Sequence, residues 1–278
     1  MQIPVLTYHS INIIENNYAE NDHLALASDL RSIAELGFRV LPLEKVVEWH
    51  QGFLPDEDVA GAVAITLDDG SWFDYFDLDH PTCGRQRSMF NILKDFNLES
   101  GASHPAHATT FVISSPQARS SLDKSCLIGK DWWGDQWWRE ANSSEIIDVQ
   151  CHSWDHVHPE LDYVAQANQE KGDFTKVNSF SDSESQFTKA AEYIEGVTGQ
   201  RPTLFAYPYG QVSDYVLDEF LPKNQLRHQF QAAFTTEPKA VSKADNVWAL
   251  PRFVFGHDWR SPEGLKRILL GHQNGPSA

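Results

Sequence analysis

Short runs of apolar and β-branched residues alternate along the chain with longer segments in which apolar residues recur every three or four positions. The short runs predict strands, and the longer segments predict helices. The predicted strands cover residues 3–8, 38–41, 62–67, 109–113, 146–150, 203–206, 232–235 and 253–255. The predicted helices cover residues 22–36, 43–50, 89–96, 183–195 and 262–270. This alternation is typical of an α/β fold in which crossover helices join parallel strands.

The number of these strand and helix units favours a closed or nearly closed barrel over an open sheet. We therefore expect one α/β domain over residues 1–278. Residues 71–87 and 115–144 show neither the short apolar runs of strands nor the three- or four-residue period of helices. They are predicted to be long loop insertions. Long loops in a compact domain are usually functional, so we expect both at one end of the barrel. The second loop contains four tryptophans, namely Trp132, Trp133, Trp137 and Trp138.

Composition narrows the function further. A chain of 278 residues buries enough apolar surface to fold without a structural metal, so a metal in this protein would serve chemistry. The 39 acidic residues outnumber the 22 lysines and arginines, which gives a net charge of -17. This charge argues against nucleic acid or an anionic membrane as a partner and favours a neutral or cationic substrate. The chain contains no run of eighteen apolar residues, so the sequence predicts no membrane-spanning helix.

The three cysteines are an odd number and too few for a disulfide framework, which fits a reducing compartment. The first residues, MQIPVL, have neither the basic region nor the apolar segment of a secretory signal. We therefore expect a cytoplasmic protein, or a secreted one if a leader has been lost from this sequence.

Polar clusters follow four of the predicted strands. In a parallel barrel the carboxyl ends of the strands meet at one rim, where functional groups gather. The clusters are Tyr8 with His9, Asp68 with Asp69, residues 151–156 (CHSWDH) and residues 207–210 (YPYG). We therefore expect these four clusters to lie close together.

The residue types in these clusters point to a metal site. Asp68 and Asp69 are adjacent on an extended segment, so their side chains point in different directions and can do different work. His152 and His156 are four positions apart, which places both imidazoles on one side of a helical turn. Two histidines and one carboxylate form the ligand set of a hydrolytic zinc centre, although other divalent metals accept it. Either motif alone is often structural, but their occurrence together after apolar strands favours a metal site.

Three segments resemble motifs of a known family. Residues 66–70 (TLDDG), 152–156 (HSWDH) and 205–210 (FAYPYG) are similar to the first three motifs of the NodB-homology polysaccharide deacetylases, carbohydrate esterase family 4. The resemblance extends over about residues 3–270. It implies a distorted (β/α)7 barrel that hydrolyses N-acetyl or O-acetyl groups of sugars with one divalent metal.

The resemblance also implies roles for individual residues. Asp69, His152 and His156 would bind the metal, and Asp68 would be the general base. The backbone N–H of Tyr209 would help to hold the oxyanion. Zn²⁺ is the expected metal, with Ni²⁺, Co²⁺ and Fe²⁺ as alternatives, and an acylated carbohydrate is the expected partner.

Two positions depart from the family pattern. Ala206 stands where the family usually has an arginine that orients the base, and Arg252 on the last strand is the candidate replacement. The catalytic acid is either His9 or His272, which lies in residues 270–272 (LGH). We favour His9, because residues 4–9 (PVLTYH) resemble the start of the circularly permuted branch that includes poly-N-acetylglucosamine deacetylases. This choice predicts that the first strand lies beside the last strand.

Tyr207, Trp133 and Trp259 are the candidate substrate-binding residues, although tryptophans pack loops as readily as they stack on sugars. The predicted function is metal-dependent deacetylation of a sugar or polysaccharide precursor, in the synthesis of bacterial surface polysaccharide such as lipopolysaccharide. Two alternatives remain open. One is a catalytically inactive carbohydrate-binding domain, which Ala206 would allow. The other is a glycosidase that uses Asp68 with a second carboxylate and no metal.

Overall fold

The structure is a computed structural model that describes residues 1–101 and 105–271. Its strands are β1 (Val5–Tyr8), β2 (Arg39–Val40), β3 (Ala62–Asp69), β4 (Leu78–His80), β5 (Gly84–Gln86), β6 (Ala108–Val112), β7 (Ile147–Cys151), β8 (Leu204–Ala206), β9 (Ala232–Phe234) and β10 (Phe253–Val254). Its α-helices are α1 (Asp22–Glu35), α2 (Leu43–His50), α3 (Met89–Ser100), α4 (Pro116–Cys126), α5 (Trp138–Asn142), α6 (Phe180–Ser183), α7 (Lys189–Thr198), α8 (Leu221–Lys223), α9 (Gln225–His228) and α10 (Pro262–Gly271).

The main sheet is parallel and has the order β10-β1-β3-β6-β7-β8-β9, with β2 paired to the beginning of β3. The sheet curls, and its two ends meet where Phe234 of β9 forms a parallel bridge to Leu250, just before β10. The expected α/β barrel is therefore confirmed. β1 lies between β10 and β3, with Leu6 opposite both Phe253 and Ile65, which confirms that the first strand lies beside the last.

The barrel core is built from strands that are apolar on both faces. All residues of β3 before Asp69 are buried, as expected for a parallel strand with side chains packed on either side. One core cluster joins small and aromatic strand residues, among them Ala64, Phe111 and Ala206, to Trp49 of α2. The other cluster packs the opposite strand faces against the surrounding helices. The strand ends are thereby fixed by packing on both sides.

Two stretches predicted to be loops contain regular structure, so this part of the prediction is wrong. Residues 115–144 include α4 and α5, and residues 71–87 include the antiparallel pair β4 and β5. Helix α4 begins with a capping bond from the Ala118 amide to the Ser115 hydroxyl, followed by Pro116 in its first turn. Its exposed polar residues conceal the helical period. Among the described residues, no helix combines the length and the apolar character needed to cross a membrane.

Candidate active site

The four predicted polar clusters meet at the carboxyl ends of the strands. β1, β3, β7 and β8 lead directly into segments that line one cleft of about 700 Å³. The predicted site residues that line it are His9, Asp68, Asp69, Trp133, His152, His156 and Tyr209. The parallel strand order therefore brings together residues that are far apart in sequence.

Asp69, His152 and His156 form a compact group of potential metal ligands. The Oδ1 atom of Asp69 lies 3.7 Å from Nε2 of His152 and 3.6 Å from Nε2 of His156. One ligand atom from each residue lies within 4.8 Å of the others, and this is the only such group of three or more among the described residues. One carboxylate and two imidazoles are donors that Zn²⁺ and related divalent metals accept.

Both imidazoles are in the neutral form that binds a metal, and a hydrogen bond fixes the ring of His152. The Nδ1–H of His152 donates to the backbone oxygen of Ala206 at 2.8 Å, which leaves the Nε2 lone pair for the site. Burial lowers the pKa of His152, and it lowers the pKa of His156 well below the ordinary value. Both rings are thus neutral near neutral pH, and the residues present fit a divalent metal.

The two histidines are not on a helical turn, which corrects the sequence prediction. Ser153 and His156 both have left-handed backbone conformations, with φ of 69° and 63°. The hydroxyl of Ser153 accepts a hydrogen bond from the His156 amide at 2.9 Å, and this bond closes the turn. An irregular turn therefore brings the two rings to a centroid distance of 4.8 Å.

Asp68 lines the same cleft and pairs with Arg252. Two guanidinium nitrogens of Arg252 donate to Oδ1 and Oδ2 of Asp68 at 2.8 and 2.9 Å. Arg252 also donates to the Thr66 hydroxyl and to the Thr235 carbonyl, and it is fully buried. The predicted replacement for the arginine missing at Ala206 is thus in contact with the predicted base.

Burial alone would raise the pKa of Asp68. The charge and hydrogen bonds of Arg252 outweigh burial and hold the pKa of Asp68 well below the ordinary value. The carboxylate is therefore ionised at neutral pH and fixed in orientation by two parallel bonds.

His9 enters the cleft directly after β1. Its backbone N–H donates to Oδ2 of Asp22 at 2.7 Å, and its buried Nδ1 atom has no hydrogen-bond partner among the described residues. Burial raises the pKa of Asp22 to about 7, while the His9 amide opposes this shift. His9 thus offers the cleft a ring with an uncommitted nitrogen.

The structure separates the other candidates. Tyr209 lines the cleft, with its ring 4.6 Å from that of His156 and a backbone φ of 59°. Tyr207 does not line it: its side chain is buried and its hydroxyl donates to the Trp248 carbonyl. Trp259 is likewise in the core, where its indole donates to Asp29. His272 lies outside the described residues.

Sequence reasoning missed several residues of the cleft. They include Asn12, Glu20, Asp22, Cys126, His158 and Arg260. The signal for His158 was present, because it extends the histidine-rich motif by two positions. Its Nδ1 accepts a hydrogen bond from the Glu160 amide at 3.2 Å, so a neutral ring carries its proton on Nε2. The other residues come from segments that carry no motif.

Comparison with known proteins gives a family match. Residues 56–222, more than half of the chain, match a family model described as polysaccharide deacetylase. A search of curated proteins found no relative.

Several solved structures share the fold over nearly the whole chain. The deacetylase PplD of Streptococcus pyogenes, solved in complex with acetate, is 18% identical with a TM-score of 0.65, over 97% of this chain and 98% of that one. A de-N-acetylase from Aggregatibacter actinomycetemcomitans is 15% identical with a TM-score of 0.63, over 96% and 100%. IcaB from Ammonifex degensii is 16% identical with a TM-score of 0.61, over 97% and 96%. At these identities the likeness shows a common fold.

Proposed function

Because the chain belongs to the polysaccharide deacetylase family, we propose that it is a metal-dependent hydrolase that removes the acetyl group from an N-acetylated amino sugar. The observation that carries the proposal is that one cleft contains both a group of potential metal ligands and a buried carboxylate paired with an arginine. Asp69, His152 and His156 converge as ligands, and Asp68 lies beside them in a bidentate pair with Arg252. The first group would bind the metal, and the second would supply a proton acceptor in a fixed orientation.

Asp69, His152 and His156 would hold the metal, which we propose to be Zn²⁺; Ni²⁺, Co²⁺ and Fe²⁺ accept the same donors. When bound, a divalent metal supplies Lewis acidity, which polarises an acyl carbonyl and makes water more acidic. The protein contributes by keeping both imidazoles neutral and by setting the His152 ring through the Ala206 carbonyl.

Asp68 takes the proton from the attacking water. Its two bonds to Arg252 keep the carboxylate ionised and prevent it from rotating away. A base held in this way is ready to act without reorganisation, which is the usual source of its catalytic effect. Arg252 can orient Asp68 in place of the arginine that the family usually has at the position of Ala206. The absence of that arginine therefore no longer favours the alternative of an inactive binding domain.

His9 protonates the amine that leaves. It lines the same cleft as Asp68, so the cleft contains both proton-handling groups. The Tyr209 amide is proposed to donate to the oxyanion that develops on the acyl group. His9 follows β1 and Tyr209 follows β8, and these two strands lie on opposite sides of β3 in the sheet.

The cleft volume of about 700 Å³ suits a ligand of a few sugar rings. We propose a neutral or cationic glycan, because the chain carries a net charge of -17 and the cleft includes Glu20 and Asp22. Cytoplasmic location and a role in surface polysaccharide synthesis stay predictions from the sequence.

The experiment is to measure acetate release from a panel of N-acetylated and O-acetylated sugars, with metal analysis of the same samples. We expect wild-type activity that a chelator abolishes. His152→Ala should lose both metal and activity, because a site of three ligands rarely tolerates the loss of one. His80→Ala, on β4 outside the cleft, is the control and should keep both. Acetate release by a metal-free sample, or full metal occupancy in His152→Ala, would contradict the proposal.

A further inference from the structure

The indole of Trp133 contacts the backbone of the carboxylate ligand. Its Nε1–H donates to the main-chain oxygen of Asp69 at 3.0 Å. The same oxygen also accepts the Ile113 amide, but at 3.3 Å, so the indole makes the shorter bond. Only 4% of the Trp133 surface is exposed, which leaves little of the ring for a sugar.

The backbone at this point needs support. Asp69 has a φ of 78°, in the left-handed region that a residue with a Cβ atom rarely adopts. Gly70 follows with a φ of 74°, and a Cβ atom there would lie 2.5 Å from a methyl group of Val112. The carboxylate of Asp69 faces the two histidines only because the backbone turns here. Whatever holds this turn therefore sets the position of a ligand.

The loop that carries Trp133 is itself fixed to α4. The carboxylate of Asp123 accepts the amides of Asp131 and Trp132 at 2.9 and 3.0 Å. The buried guanidinium of Arg119 donates to the Trp133 carbonyl at 2.9 Å and pairs with Asp135 at 2.7 Å. The indole is thus presented by a backbone that is anchored at both ends.

A second bond joins the same two loops. The backbone N–H of Trp72 donates to the Trp132 carbonyl at 2.9 Å. Residues 132 and 133 therefore form hydrogen bonds to both ends of the turn after β3, one to Asp69 and one to Trp72. The side chain of Trp132 contacts neither Asp69 nor its backbone oxygen in the way that Trp133 does; its ring packs on Phe73 and under the Lys130 ammonium.

We propose that Trp133 is a positioning residue that fixes the backbone of Asp69 through its indole N–H and so presents the carboxylate to the metal. This replaces the sequence expectation that Trp133 binds the sugar. The inference rests on the proposed function, because it presumes that Asp69, His152 and His156 hold a metal. It assigns the aromatic loop to metal binding and not to substrate recognition.

The test is Trp133→Phe, which keeps an aromatic ring and removes the N–H. Metal affinity of the apoprotein is measured by competition with a coloured chelator, using Zn²⁺ as the probe. We expect the Kd for Zn²⁺ to rise by about 10- to 100-fold, as is usual when a partner of a metal ligand is lost. At saturating Zn²⁺ the KM for the sugar should stay at the wild-type value. Trp132→Phe is the matched control and should bind Zn²⁺ as the wild type does.

Each outcome has one meaning. A wild-type Kd in Trp133→Phe, together with a raised KM, would overturn the inference and restore Trp133 as a sugar-binding residue. If the wild-type protein binds none of Zn²⁺, Ni²⁺, Co²⁺ and Fe²⁺, the proposed function fails, and this inference fails with it. If Trp133→Phe does not fold, Asp123→Asn serves instead, because it loosens the loop far from the ligands. Its Kd for Zn²⁺ should also rise, and an unchanged value would overturn the inference.

Discussion

Adjacent aspartates in this site have different neighbours. Asp68 points to Arg252, and Asp69 points to His152 and His156. The separation arises because Asp68 continues the extended backbone of β3, whereas Asp69, the last residue of β3, has a left-handed backbone with a φ of 78°. The same substitution, Asp to Asn, should therefore have different effects on metal content at the two positions.

Asp68→Asn should keep the metal and lose turnover. The amide cannot accept the proton of the attacking water, and the loss of a positioned base typically costs about 10² to 10⁴ in rate. Asp69→Asn should instead lose the metal, because an amide is a poor substitute for a carboxylate ligand. Metal content and kcat are measured on both proteins. Retention of metal by Asp69→Asn and its loss from Asp68→Asn would mean that the two roles are assigned the wrong way round.

His9→Ala tests the proposed acid. The variant should keep its metal, because His9 is not among the three ligands. Activity should fall most on amide substrates, whose leaving amine needs a proton, and less on aryl acetates, whose leaving group does not. The ratio of the two rates is therefore the measurement. His272→Ala is the control and should have little effect; the opposite pattern would place the acid at the C-terminal end.

At the scale of elements, Asp29 ties three parts of the barrel wall together. From α1 its carboxylate accepts hydrogen bonds from the Tyr8 hydroxyl at 2.8 Å, the Tyr18 hydroxyl at 2.6 Å and the Trp259 indole at 3.1 Å. These partners belong to β1, to the segment before α1 and to the loop after β10. The strand that delivers His9 is thus held through a buried carboxyl group.

Asp29→Asn should flatten the dependence of stability on pH. Burial raises the pKa of Asp29 to about 6, although its three hydrogen bonds oppose this shift. The folded state therefore holds the proton more tightly than the unfolded state, so the contribution of Asp29 to stability is greatest below about pH 4 and is lost as the pH rises through about 6. A shift from 3.8 to about 6 corresponds to on the order of 3 kcal/mol.

The measurement is urea denaturation of both proteins at several pH values between about 4 and about 7. Asp22 and Asp74, whose pKa values are also raised to about 7 by burial, should leave some slope in the variant. Identical slopes in the two proteins would show that Asp29 does not lose a proton in this range.

At the scale of the whole molecule, the barrel could be predicted because its signals are local. Each strand is an apolar run, and each long helix has an apolar face, so their order alone implied parallel pairing. Helix α4 was missed because most of its residues are polar, including the buried Arg119 and Asp123; its signals are Ala118 and Leu122, four positions apart, and Ser115 and Pro116 at its start.

The candidate site could be predicted only in part. The carboxyl ends of parallel strands meet at one rim, and this rule brought Asp68, Asp69 and His152 together; Arg252 was instead expected from the family pattern, as the replacement for the arginine missing at Ala206. The rule did not show which way a side chain faces, so Tyr207 was expected in the cleft and lies in the core. It also gave no sign of the left-handed backbone at Asp69, which depends on distant contacts such as that of Trp133.

The pairing of β1 with β10 has a consequence for the order of assembly during synthesis. β1 is made before β10, so the two strands can pair only after all the other strands of the sheet have been made. His9 directly follows β1, and Arg252 directly precedes β10. A growing chain can already contain the metal ligands while Asp68 still lacks its arginine. Asp68 can therefore pair with Arg252 only after the residues that lead into β10 have been made.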